Sequence, residues 1–262
     1  MTFQTNLFIN GKVRASIIRA SGTAILKLWG QYVPSSTGET LAIYSPNDDS
    51  LVAEKIHVAS EADVDAAVHA AQAAFPGWKN TATLRRAAIM NKFADLLEQN
   101  IDSLATLEGK AMGQPISIAR ANIGIASSIW RYYAGAASKI AGEALPPDND
   151  NLYKIVQYEP LGVCGGICAW NRSHLQTSWK AAPAVAAGNT FVLKSSEKTP
   201  IALCQYGHLL NEAGFPPGVI NILAGGAKLA LSWPATWTSP RSLLLIRSPR
   251  AELYSLRQQS PT

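Results

Sequence analysis

The segment from Gly162 to Leu223 constrains the fold of this chain more than any other. Gly162 to Cys168 is an apolar, glycine-broken run of strand length. Ser173 to Ala187 has helical spacing and closes on Gly188-Asn189, residue types that accept the left-handed turn after a helix. Thr190-Phe191-Val192-Leu193 reads as a second, buried strand. Thr199-Pro200 opens another helix, with Thr199 as N-cap and Pro200 at the first helical position, and Ala213-Gly214 ends it. Val219-Ile220-Asn221-Ile222-Leu223 is a third strand. Strands this apolar, alternating with helices, predict an α/β fold: a parallel sheet with helices on both faces.

Upstream, Leu7 to Gly11 reads as a short strand entering a turn, and Thr40–Tyr44 and Leu51–His57 as strands around the turn Pro46-Asn47-Asp48-Asp49. Ser60 followed by Asp63 is a capping signature for an Ala-rich helix through about Phe75, with Val64, Ala67, Val68 and Ala71 on one face. Thr83 starts a second helix, Asn100-Ile101-Asp102 a third to about Met112, and Pro115 to Ala137 forms a long amphipathic one. Glu143 to Tyr158 reads as two short strands around the loop Pro146-Pro147-Asp148-Asn149-Asp150. Two segments lack this grammar. Lys12 to Trp29 has no steady period, and Ala227 to Thr262 holds six Ser, four Pro and two Trp around one strand-like run, Leu243-Leu244-Leu245-Ile246.

Those two segments also explain the charge. The chain of 262 residues carries a net +5; residues 12–29 contribute +4 and residues 227–262 another +4, so the remainder sums to −3. No Lys- and Arg-lined groove interleaved with aromatics emerges, and nucleic acid is not an expected partner. At 47% hydrophobic and 16% charged the composition excludes disorder throughout. No basic region followed by an apolar run opens the sequence, and no stretch of 18 apolar residues could span a membrane. Three Cys make no disulfide framework. The expectation is a soluble cytoplasmic protein with no membrane partner.

A parallel sheet binds ligands beyond the carboxyl ends of its strands. The candidates there are Ile167 to Asn171, Lys194 to Glu197, and Gly225-Gly226. The Asn171 amide either donates to a developing oxyanion or caps the following helix. Lys194 and Glu197 either hold a ribose diol or form a salt bridge at a helix start. Cys164, Cys168 and Cys204 read as packing residues, since no neighbouring base suggests a lowered pKa. The four His are scattered at no ligand spacing, so no metal site is expected. A G-x-G-x-x-G fingerprint is absent.

Taken in order, the motifs resemble the aldehyde dehydrogenase superfamily. They are Phe8-Ile9-Asn10-Gly11, Leu107-Glu108-Gly109-Lys110 with Gly113-Gln114-Pro115, Arg131-Tyr132-Tyr133-Ala134-Gly135, Glu159-Pro160-Leu161-Gly162-Val163, Trp170-Asn171, Trp179-Lys180, Ala187-Gly188-Asn189-Thr190, Lys194 to Pro200 and Glu212 to Asn221. The wording of Cys164 to Asn171 is similar to fungal members. The resemblance covers Leu7 to Gly11 and about Gln31 to Gly226. It implies a Rossmann-like parallel sheet with flanking helices, here incomplete, and a β-hairpin oligomerisation arm. By resemblance, residues 1–138 are the N-terminal part of the cofactor domain with an atypical insert at 12–29. Residues 139–158 are part of the arm, 159–226 the βαβαβ core, and 227–262 an atypical, poorly ordered tail.

The resemblance also implies a chemistry. In the family a Cys thiolate adds to the aldehyde, hydride passes to the nicotinamide, and a Glu base hydrolyses the thioester. Asn171 matches the oxyanion-hole Asn. Lys194 and Glu197 match the adenosine-ribose residues, Ile167 and Trp170 line the cofactor cleft, and Gly225 or Gly226 lies near the adenine end. A carboxylate at Glu197 repels a 2′-phosphate, which favours NAD over NADP. Two features depart from the family: its usual Phe-Pro after Trp-Asn reads Arg172-Ser173, and no nucleophile Cys or Glu base is recognisable after Gly226. The expectation is an aldehyde dehydrogenase by descent, inactive in this form. The alternative is a non-catalytic subunit that forms a homo-oligomer or pairs with a full-length homologue.

Overall fold

The computed structural model describes residues 7–9, 32–146, 154–226, 229 and 245–246. Strands β1 (Leu7–Phe8) and β2 (Tyr32–Val33) pair antiparallel, and β3 (Thr40–Tyr44) pairs with β4 (Leu51–His57) in a separate two-stranded sheet. The Ser60 signature is realised in full. Its hydroxyl accepts the Asp63 N–H at 3.3 Å, and the Asp63 carboxylate accepts the Ser60 N–H at 2.8 Å. Helix α1 (Glu61–Lys79) nevertheless runs past Phe75. An interior proline such as Pro76 costs about 3 kcal/mol. Two residues on, Trp78 is fully buried and donates its indole N–H to Val185 O at 3.0 Å. Burying an indole is worth about 3–5 kcal/mol, so packing carries the helix through the proline.

Helices α2 (Thr83–Gln99), α3 (Ile101–Met112) and α4 (Ile116–Ala136) lie where the sequence places them, and Gly113 at φ +75° ends α3. Arg131 on α4 holds Asp95 at 2.6 Å and Glu98 at 2.7 Å on α2. β5 (Glu143–Leu145) and β6 (Lys154–Val156) pair antiparallel, with Ala144 opposite Ile155. Apart from Pro146, the loop expected between them lies outside the described residues, as does the segment 12–29.

The alternating block folds as β7 (Val163–Ile167), α5 (Ser173–Ala186), β8 (Thr190–Ser196), α6 (Ile201–Cys204), α7 (Tyr206–Ala213) and β9 (Ile220–Gly225). A final strand, β10 (Leu245–Ile246), completes a six-stranded sheet in the order β10-β7-β8-β9-β1-β2, parallel from β10 to β9. The tail thus adds a parallel strand, with Leu245 beside Gly165 and Ile246 beside Gly166, beyond the point where βα alternation was expected to stop. Successive β8 residues face opposite sides. Phe191 and Leu193 join a core with α2, α4, α5 and α7, and Val192 joins one with α1 and α6. β8 also runs three residues past the apolar run, because Lys194, Ser195 and Ser196 are buried despite their polarity.

The helix expected from Thr199 to Ala213 is broken at Gln205 into α6 and α7. Thr199 does not cap it. Its hydroxyl is taken by the Trp170 carbonyl at 2.7 Å, and that use bears on the site.

Candidate functional site

The carboxyl ends of the three central strands end in register. Ile167 lies beside Lys194, Lys194 beside Leu223, and Ser196 beside Gly225. Ile167, Lys194 and Gly225 therefore share one edge of the sheet, with Trp170-Asn171, Glu197 and Gly226 in the loops directly beyond it. This is where parallel sheets take their ligands. Thr199 joins two of those loops, donating to Trp170 O and sharing a 3.0 Å hydrogen bond with Ser173 Oγ.

Lys194 is buried, and its ammonium sits 4.0 Å from Glu197 Oε2, a loose ion pair. Burial lowers the Lys194 pKa, and Glu197 pulls it partly back. The Glu197 side chain is 40% exposed. Its Oε2 accepts from Ser196 Oγ at 3.3 Å, while Oε1 has no hydrogen bond among the described residues. The salt-bridge arrangement is present, and it leaves one carboxylate oxygen free.

Asn171 is exposed in the β7–α5 loop and makes no cap. Gln176, one turn into α5, holds it instead: Nε2 donates to Asn171 O at 2.8 Å and to Oδ1 at 3.1 Å, and Oε1 accepts the Ala169 N–H at 2.9 Å. The Asn171 Nδ2 hydrogens have no partner among the described residues. Between Asn171 and the helix, Arg172 adopts a left-handed backbone at φ 57°, ψ 50°, rare for a side chain with a Cβ.

Residues 32–232 match the sequence profile of the aldehyde dehydrogenase family. This chain belongs to that family. Among curated relatives, an aldehyde dehydrogenase of Davidiella tassiana is 42% identical over 201 residues, covering 76% of this chain and 40% of that one. An aldehyde dehydrogenase of Emericella nidulans is 41% identical with the same coverage. Among solved structures, PnpE in complex with nicotinamide adenine dinucleotide superposes with a TM-score of 0.80 at 34% identity, covering 92% of this chain and 46% of that one. The chain spans about two-fifths of the length of the curated relatives it matches. The family match continues six residues beyond Gly226.

At Arg172-Ser173 the chain builds a polar anchor. Ser173 donates its N–H to Glu108 Oε1 at 3.0 Å, which supplies α5 with the N-terminal cap that Arg172 does not. Glu108 and His174 are both buried, with Glu108 Oε2 3.8 Å from His174 Nε2 and neither atom hydrogen-bonded. His174 Nδ1 shares a 2.7 Å hydrogen bond with the Tyr206 hydroxyl. Burial pushes Glu108 up to about 7, opposed by its Ser173 bonds, and pushes His174 down to about 3. Sequence reasoning missed Glu108, His174, Gln176 and Thr199 as site-shaping residues. His174 and Gln176, three and five positions after Asn171, and Thr199, two after Glu197, lay near enough to attract notice; Glu108 did not.

The three Cys of the chain are all buried. Burial pushes the Cys164 thiol up to about 11 and Cys204 up to about 12. It also raises Cys168, against the partial opposition of Lys180. A nucleophile needs the reverse, an accessible thiolate near neutral pH.

Proposed function

We propose that this chain forms the cofactor-binding part of an NAD-dependent aldehyde dehydrogenase, an oxidoreductase converting an aldehyde to a carboxylic acid. One observation carries the reading: the half-exposed Glu197 carboxylate pairs through Oε2 with buried Lys194 and keeps Oε1 free, two residues before Thr199, whose hydroxyl ties this loop to Trp170 beside Asn171. The donor set fits an adenosine ribose. Glu197 accepts from the diol, and Lys194 donates from the strand end. Ile167 and Trp170 line the cleft, and of Gly225 and Gly226 it is Gly226, with open space at its Cβ position, that lets the backbone approach the adenine end, because the Leu229 side chain fills that position at Gly225. The negative Glu197 disfavours a 2′-phosphate, so NAD is the cofactor rather than NADP. When bound, NAD supplies the hydride acceptor. Asn171 Nδ2 donates to the aldehyde oxygen as it gains charge.

The three buried thiols argue that these 262 residues, taken alone, bind NAD without oxidising an aldehyde. Titration of the purified chain with NAD and NADP, followed by calorimetry, tests the cofactor reading. Saturable NAD binding and weaker NADP binding are expected, with loss of both on Lys194→Ala and loss of the preference for NAD over NADP on Glu197→Ala. Equal affinities untouched by either substitution would overturn it. Sustained NADH formation from an added aldehyde would overturn the inactivity.

The domain division follows the same reading: 1–138 and 159–226 build the cofactor domain, 139–158 part of an oligomerisation arm, and 227–262 a tail that contributes β10. Three unpaired thiols suit a reducing compartment such as the cytoplasm. An assembly role is favoured by the β5–β6 pair, which exposes Leu145, Ile155, Val156 and the following Tyr158. A two-stranded hairpin is marginal alone, so a second subunit, of this chain or a full-length homologue, is its natural support. Sedimentation of the chain alone and with such a homologue checks this; a strict monomer in both would remove the reading.

A further inference from the structure

Among the described residues, Gln176 occupies an unusual place, because its two amide ends touch two different parts of the β7–α5 loop. Oε1 accepts the Ala169 N–H at 2.9 Å, while Nε2 donates to Asn171 O at 2.8 Å and to Asn171 Oδ1 at 3.1 Å. A side-chain amide is nearly symmetric in shape and opposite in polarity at its two ends, so a half-turn swaps donor for acceptor at little steric cost. For Asn171 that half-turn decides everything. The Nδ2 end can polarise an oxygen, and the Oδ1 end would repel it.

The contacts remove the ambiguity in two steps. The Ala169 backbone N–H is a donor whatever the side chains do, so it can only face the oxygen end of Gln176. That places the Gln176 nitrogen towards residue 171, where both atoms in reach, the carbonyl O and Oδ1, are acceptors. With Oδ1 occupied, the Asn171 Nδ2 hydrogens turn to the open side of the loop, where Asn171 is exposed. We propose that Gln176 is a positioning residue that fixes Asn171 with its donor end outward, relaying the polarity of one backbone N–H to the side chain that meets the aldehyde. The geometry stands on its own; its consequence for catalysis rests on the reading of Asn171 as the oxyanion donor.

The test is nuclear magnetic resonance on the ¹⁵N-labelled full chain, following the Asn171 side-chain NH₂ pair, identified by its loss in Asn171→Asp. Gln176→Glu keeps the shape and the acceptor for Ala169 but turns the donor towards Asn171 into a carboxylate oxygen. The Asn171 amide should then reverse and donate to it, moving one Nδ2 proton downfield and slowing its exchange with water about tenfold. Gln176→Met removes the donor that holds Asn171 Oδ1, so the side chain should become mobile, read as a lowered ¹H–¹⁵N nuclear Overhauser effect at Nδ2 with no slowing of exchange. If either variant fails to fold, the other decides alone. An Asn171 pair that keeps its wild-type shifts, exchange rate and Overhauser effect in the folded variants overturns the proposal. Neither measurement needs cofactor or aldehyde. Failure of the dehydrogenase reading would show separately, as an Asn171 pair that responds to Gln176 substitution but not to added NAD and aldehyde.

Discussion

Ser173 donates its backbone N–H to Glu108 Oε1 at 3.0 Å, joining positions 65 apart. The same carboxyl turns its other oxygen to His174, so two buried titratable groups meet under the start of α5. Their pH effects oppose. Glu108 rises from its ordinary 4.5 to about 7, so the folded chain holds that proton better and stability falls as pH rises through this window. His174 drops from 6.5 to about 3, so the unfolded chain takes that proton better and stability falls as pH drops through that window. Between pH 4.5 and 6.5 the slopes largely cancel. Glu108→Gln should unmask the histidine, giving a chain whose stability climbs by roughly 1–3 kcal/mol across that interval in urea titrations. A pH profile parallel to wild type would show that the two groups do not titrate with folding.

The thiols make a second prediction. With Cys164, Cys168 and Cys204 buried and all raised by desolvation, a thiol reagent at pH 8 should label the native chain slowly at every site and the urea-unfolded chain rapidly at all three. One fast stoichiometric label in the native state would reveal an accessible thiolate and reopen the question of a nucleophile.

Much of this was legible in the sequence, for identifiable reasons. Ser60 and Asp63 act through a local capping box, and Phe191-Val192-Leu193 through apolarity, so both declared themselves. Lys194 and Glu197 were singled out because they follow an apolar run of strand length, and the structure puts Lys194 near the end of β8 and Glu197 directly beyond it. The misses share one cause. Thr199 has the look of a local cap but spends its hydroxyl on Trp170, and Pro76 looks like a stop but is overridden by Trp78. Glu108 reaches α5 across 65 positions, and no periodicity announces such a bond. β10 falls within the one strand-like run of the tail, Leu243 to Ile246, but its parallel pairing with β7 leaves no compositional trace.

Gly166 tests the central packing. A Cβ there would fall 2.5 Å from Phe191 Cζ and 3.2 Å from Lys180 Cδ. The lysine can shift, but Phe191 is fully buried and cannot move without displacing its neighbours. Gly166→Ala should therefore cost about 1–3 kcal/mol, read as a lowered Tm. Phe191→Leu, which withdraws the clashing atom, should recover part of that loss in the double variant, a coupling that independent sites would not show.

Ser173→Pro sets two known effects against each other. Proline suits the first helical position and, by restricting the unfolded chain, stabilises by about 0.4–1 kcal/mol where no N–H is needed. Here the N–H is used, by a buried carboxyl whose Oε1 has no other hydrogen-bond donor among the described residues, and the Ser173 hydroxyl also holds Thr199 at 3.0 Å. Leaving that oxygen unsatisfied costs about 1–3 kcal/mol, so the loss wins and the variant should be less stable than wild type in urea. The deficit should be larger at pH 8, where Glu108 is mostly ionised, than at pH 5, where it is protonated. In a Glu108→Leu background no acceptor remains to be orphaned, and the same substitution should become neutral or stabilising. If Ser173→Pro instead stabilises the otherwise wild-type chain at pH 8, Glu108 is not what anchors the start of α5.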